Sequence, residues 1–151
     1  MLSKLIKTND NYSLTIVRLV LGIVFLAHGC QKVLGWFGGS GFTATMGMFE
    51  TYMHIPAPFA FLAIMAEFLG GLGLIVGLLG RVAAFGIAVN MLVAIFKVHA
   101  ANGLFMNWGG NQKGEGFEYH LLALAIAFAV MVGGSGALSL DRAWYKGQAE
   151  R

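Results

Sequence analysis

Residues 13–37 read SLTIVRLVLGIVFLAHGCQKVLGWF, a long apolar run interrupted by three basic side chains, Arg18, His28 and Lys32. About 20 helical residues at 1.5 Å each cross the ~30 Å of bilayer hydrocarbon, and this stretch suffices. In oil the backbone N–H and C=O groups find no water, so a helix that satisfies them internally is expected. Three similar runs follow at 57–79, 81–101 and 117–138. The 151 residues are 58% hydrophobic and only 11% charged, whereas a soluble domain carries about 25% charged residues. Too few charges remain to clothe a water-facing surface. The reading is a single all-α membrane domain: a bundle of four transmembrane helices whose first partner is the lipid bilayer.

The connectors set the topology. Pro56 and Pro58 stand where the second span should start, a position that tolerates a missing N–H. Spans two and three are separated only around Gly80 and Arg81, which predicts a tight helical hairpin. Between Ser40 and Ile55, Phe42, Met46, Phe49 and Met53 recur at helical spacing beside Thr43, Thr45 and Glu50; this pattern predicts a short interfacial helix between spans one and two. Residues 103–116 are glycine-rich and polar, with Trp108 suited to the headgroup level. They read either as a loose connector or as a lid. Lys4, Lys7, Arg81, Arg142, Lys146 and Arg151 fall on the face shared by both termini, which places the termini in the cytoplasm.

Ten basic residues against seven acidic ones give a net charge of +3. They flank the apolar runs instead of forming a patch, so they fit headgroups and topology better than a nucleic acid. The single cysteine, Cys30, rules out an internal disulfide and a thiolate cluster. Its apolar setting predicts an inert buried thiol. A signal peptide is not expected, because further spans follow.

Several ionisable groups lie inside the spans, where a central Arg or Lys costs about 2.5–3.5 kcal/mol on insertion scales. Arg18, His28 and Lys32 fall within roughly an 80° arc of one helix, and Gly22, Phe25 and Gly29 share it. That face should turn inward, its glycines permitting close helix approach. Arg18 and Lys32 also fit a second reading, snorkelling to the headgroups. Glu67 sits halfway along span two, ahead of Gly70, Gly71, Gly73 and Gly77. It reads either as one half of a structural ion pair or as a proton-exchanging group. Span three adds Asn90, Lys97 and His99, and span four opens with Glu118 and His120. In this topology His28, Lys32, Lys97, His99, Glu118 and His120 share the outer half, with Glu67 just beneath.

Known catalytic patterns are missing. No HExxH, HxxEH, G-x-S-x-G or phosphate-loop spacing occurs. Glu118 and His120 point about 200° apart on a helix, so spacing does not support a metal site, and none is expected. No flavin, haem or iron–sulfur motif is present either.

Three stretches, in order, resemble the DoxX family of small bacterial integral membrane proteins. They are Arg18-x-x-x-Gly22 with His28-Gly29-x-x-Lys32-x-x-Gly35; Glu67-x-x-Gly70-Gly71 running to Gly77-Leu78-x-Gly80-Arg81-x-Ala83-Ala84; and Glu118-Tyr119 followed by Gly133-x-x-Gly136-x-x-Ser139-Leu140-Asp141. Gly134-Ser135-Gly136 stands where the family usually shows Gly-Pro-Gly. The resemblance implies a four-span bundle in the bacterial inner membrane and an association with redox systems, since related proteins include subunits of thiosulfate:quinone oxidoreductase. The expectation is a redox-associated subunit binding a quinone or another small polar redox molecule in an outer-half pocket. Glu67 and His28 would exchange protons there, and Arg18, Lys32, Lys97, His99, Glu118 and His120 would contact the ligand. No covalently bound cofactor is expected, so electrons would come from a partner subunit unless the ligand itself is the electron carrier. A small proton or anion channel, a transporter, or a non-catalytic assembly subunit are the other readings, and a homo-oligomer is compatible with each.

Overall fold

The structure, a computed structural model, describes residues 2–149. Among these, every regular element is helical: α1 (Leu2–Leu5), α2 (Tyr12–Leu34), α3 (Gly41–Thr51), α4 (Ala57–Val76), α5 (Gly80–Ala94), α6 (Glu118–Gly133) and α7 (Leu140–Ala149). Helix α5 continues through a wide π turn over Ile95–His99 and a tight turn over Ala100–Asn102. Three helical segments are long and apolar enough to cross a membrane: Tyr12–Leu34, Ala57–Val76 and Gly80–Asn102. Helix α6 is apolar but shorter, at 16 residues.

Local chemistry sets the ends. Asn11 caps α2, its Oδ1 accepting the Leu14 N–H at 3.1 Å, which satisfies one of the orphan donors of the first turn. Gly35, at φ 71°, closes that helix because only glycine takes the left-handed region without strain. The first span thus stops at Leu34, three residues short of the expected 37. Pro56 occupies the N-cap of α4, with Pro58 in its first turn. The hairpin turn falls at Gly77–Leu79, just before the expected Gly80–Arg81 region, with Leu79 itself at φ 50°. Span four was expected to reach 138 but ends at Gly133, because Gly134 and Gly136 carry φ of 87° and 81°.

Helix α2 packs on α4 and α6, and α5 packs on the same two, so the four long helices close a ring. Its shared core comprises Leu21, Phe25, Leu74, Ile87, Ala127 and Val130. The α2–α4 contact is backbone against backbone. A Cβ at Gly29 would lie 2.5 Å from the Phe68 Cα, and one at Gly71 would lie 2.5 Å from the Leu26 N. Outward faces stay apolar: Ile16, Val20 and Ile23 on α2, Leu62 and Leu69 on α4, Phe85 and Leu92 on α5, Leu122 and Phe128 on α6 are exposed. A surface of that kind fits lipid, not water.

At one end of the ring a polar clasp gathers the connections. Arg18 is 1% exposed and donates to the carbonyl oxygens of Leu74, Ile75, Ser135 and Leu138. The carboxylate of Asp141 accepts the Leu79 N–H at 2.8 Å, the Gly80 N–H at 3.0 Å and the Ser135 hydroxyl at 2.6 Å. Arg81 reaches the carbonyl oxygens of Lys7 and Met131. Arg142, on α7, pairs with Asp10, and that hydrogen bond holds the Asp10 carboxyl below its ordinary range. Lys4, Lys7, Arg81, Arg142 and Lys146 therefore belong to the end of the ring where α2 begins. Arg151 lies outside the described residues.

Candidate functional site

The opposite end of the ring holds a cavity of about 300 Å³. Its polar side comes from four helical segments: His28 and Lys32 of α2, Glu67 of α4, Asn90, Lys97 and His99 of α5 and its continuation, and Tyr119 and His120 of α6. Phe25, Met91, Phe49 and Ile55 form much of the apolar side.

The glycine contacts of α2 explain why its polar stripe meets α4. Gly22 and Gly29 lie against Ile75 and Phe68, and Lys32 continues that face by one turn. Its ammonium is bonded to Glu67 Oε2. Lys32 thus turns into the bundle instead of snorkelling outward. Both partners are half-buried or better, and a carboxylate so placed needs its cation. His28 sits at the rim, Nδ1 lying 3.1 Å from Gln31 Oε1, while Gln31 Nε2 donates to the Phe37 carbonyl oxygen.

On α5 the π turn decides the register. Lys97 and His99 would point roughly 200° apart on a regular α-helix, yet both line the cavity. The widened turn, in which the Ala100 N–H reaches the Ile95 carbonyl oxygen, re-aims them, a known use of π bulges. His99 Nδ1 donates to the Glu115 carbonyl oxygen at 2.8 Å. In the neutral imidazole that bond leaves Nε2 as the acceptor.

Helix α6 brings the least satisfied groups. His120 is 5% exposed and packs against His99, the rings tilted by 43° with centroids 4.1 Å apart. Its Nδ1 and the hydroxyl of Tyr119 are buried without a hydrogen-bond partner among the described residues. Buried polar atoms are nearly always paired, and both of these side chains line the cavity.

Not every expected contact residue reaches it. Arg18 lies at the other end of α2, its guanidinium committed to four backbone carbonyls. Glu118 turns away from His120, its Oε1 accepting the Met106 N–H at 2.8 Å; it anchors the loop of residues 103–116. That loop is not a loose connector. Glu115 Oε2 accepts the Asn107 N–H at 2.6 Å, and the Glu118 N–H bonds the Leu104 carbonyl oxygen at 2.8 Å. Nor does the loop supply a lid: the cavity is covered from α3 and its exit by Met48, Phe49 and Met53. No cluster of three metal-ligating side chains occurs among the described residues. Sequence reasoning did not single out Tyr119 as a site residue, although it lies between Glu118 and His120 and its phenol is an uncharged donor that a ligand oxygen could accept from.

A family model described as DoxX matches residues 13–100. The chain is 31% identical over 140 residues to a Haemophilus influenzae protein named "Uncharacterized protein", covering 89% of this chain and 92% of that one. It is 30% identical over 133 residues to "Putative oxidoreductase CatD" of Bacillus subtilis, covering 88% and 87% respectively. To the "Inner membrane protein YqjF" of Escherichia coli it is 26% identical over 136 residues, covering 90% and 95%. No solved structure matches the chain. With apolar helices long enough to span a bilayer and a family model matched over more than half its length, the chain belongs to the DoxX family of membrane proteins.

Proposed function

We propose that the chain is a membrane subunit of a redox system and that its cavity binds a quinone-type ring. In this reading α2, α4, α5 and α6 each cross the inner membrane, α3 lies in the outer interface over the cavity, and both termini are cytoplasmic. One observation carries the binding reading: the Tyr119 hydroxyl and His120 Nδ1 are buried and unpartnered beside the Lys32–Glu67 pair. A ring with an oxygen at each end supplies what they lack. Apolar side chains such as Phe25 and Met91 suit the faces of such a ring, and a largely apolar pocket with a few placed polar groups is the usual form of a small-molecule site. The name of the Bacillus relative supports the redox association.

A quinone takes up two electrons and two protons on reduction, and the electrons are assigned to a partner subunit. This chain's residues handle protons and orientation. Tyr119 donates a hydrogen bond to one ring oxygen, and His120 faces the ring with Nδ1. Glu67 and rim-exposed His28 exchange protons with the ligand, while Lys32 stays paired with Glu67 between turnovers. Lys97 and His99 complete the polar side.

A through-path for protons or anions fits less well. Beneath the cavity, Leu21, Phe25, Leu74 and Ile87 are packed, each no more than 3% exposed, and leave no continuous polar lining. The test is quinone binding by the purified protein, followed by solvent extraction and titration. Native protein should retain or take up quinone, and His120→Ala should weaken binding about tenfold, as expected for a buried hydrogen bond of ~1–2 kcal/mol. Native protein that neither retains nor binds quinone, yet carries proton or anion flux in vesicles that Glu67→Gln blocks, would overturn the reading in favour of a pathway.

A further inference from the structure

We infer that the ligand is borne by the lipid phase: its ring occupies the cavity, and a hydrocarbon chain leaves past the Asn90–Ala63 bridge, on its Ile55 and Val93 side, into a groove on the outer faces of α4 and α5. The inference rests on the cavity being a ligand site and adds the ligand's class and its route.

A second hollow of about 890 Å³ lies between α4 and α5. It differs from the cavity in kind. Leu62, Leu69, Val82 and Phe85 wall it, and Asn90 is its one polar lining side chain. Glycines deepen it, for Gly70, Gly73 and Gly86 present no side chain between the helices. At Gly86 an added Cβ would come within 3.2 Å of the Ala66 Cβ, so α4 and α5 are close at the floor and open outside it.

The two hollows adjoin. Ile55, Ala63, Asn90 and Val93 line both. At that junction Asn90 Nδ2 donates to the Ala63 carbonyl oxygen at 2.7 Å, a polar bridge across the α4–α5 seam. From Ala63 to Gly73 the groove follows α4 for roughly 15 Å at 1.5 Å per residue. A polar chamber set beside a long apolar furrow, with one bridged seam between them, matches the outline of an amphiphile: a ring bearing hydrogen-bonding oxygens, joined to an extended chain. A water-soluble ligand would leave the furrow without a purpose. An ordinary lipid tail would fill it but would place no ring oxygen at Tyr119.

The test uses the full chain in native-composition vesicles and a benzoquinone whose decyl chain ends in a photoreactive diazirine. After illumination, cross-links are mapped by mass spectrometry, with and without excess chainless ring. The expected result is labelling within residues 62–89 that is lost with excess ring and, at sub-saturating probe, falls about tenfold in His120→Ala. Labelling of the groove that the chainless ring does not displace would overturn the inference, since the furrow would then hold lipid independently of the cavity. Displaceable labelling elsewhere, on α2 or α6, would also overturn it while leaving ring binding intact. Ala66→Leu, which narrows the furrow without touching the cavity, should lose the groove label and keep chainless-ring binding; if ring binding itself is absent from native protein, the cavity reading fails, and this one falls with it.

Discussion

The Lys32–Glu67 pair illustrates how position in the membrane changes what a residue is worth. Removing one member of a buried ion pair strands the other and costs about 3–5 kcal/mol, whereas removing both is often near neutral. Lys32→Met should therefore destabilise the detergent-solubilised protein by roughly that amount. The double change Lys32→Met with Glu67→Met should recover most of it, as read from denaturant-induced unfolding; equal losses in the single and double variants would show that the pair is not coupled. Arg18 should behave differently. Its guanidinium binds four carbonyl oxygens far from the cavity, so Arg18→Met should lower the unfolding midpoint and leave quinone binding unchanged. The inward stripe on α2 was legible from spacing alone, because charges in oil must find partners. What spacing does not reveal is which end of the stripe meets which partner: Arg18 and Lys32 share a face and serve opposite ends of the molecule. The ~200° between Glu118 and His120 was also legible. It separates a loop anchor from a cavity group, and only the tertiary contact of α6 with α5 says which is which.

At the scale of elements, glycine placement divides into contacts that tolerate a methyl and contacts that do not. Gly29→Ala drives a Cβ against the Phe68 backbone, and overpacking of this sort costs about 1–3 kcal/mol. Gly47→Ala, in the middle of α3, meets nothing within 4 Å and should be neutral or stabilising by ~0.5–1 kcal/mol. Parallel thermal unfolding of the two variants checks the contrast, and equal behaviour would deny the close α2–α4 approach. Small residues at helical spacing announced this interface, and the periodic Phe42, Met46, Phe49 and Met53 announced α3. Helix α7 was not foreseen, because its ten residues are largely polar and held by distant partners, Asp141 against α5 and Arg142 against Asp10. The π turn at Ile95–His99 was equally invisible. No residue type in Ile95–His99 demands one.

For the molecule as a whole, the proposed orientation has a direct check. In a Cys30→Ala background, Lys113→Cys in the outer loop and Lys4→Cys near the start of the chain are both at exposed positions. A membrane-impermeant maleimide applied to intact cells should label the first and spare the second until the membrane is opened; the reverse pattern would invert the topology. The four-run pattern and the positive bias on one side were readable from composition, while closure of the ring required the contacts themselves. Helix α6 is the one runged short. Its 16 residues rise only ~24 Å at 1.5 Å each, less than the ~30 Å of typical hydrocarbon. In the proposed orientation, where α6 crosses the membrane, lipids beside it dip to meet the Gly134–Gly136 turn, pinching the bilayer along a single flank. The protein should then melt at a higher temperature in shorter-chained phosphatidylcholine than in longer, and neighbours that favour thin membrane should collect along that side.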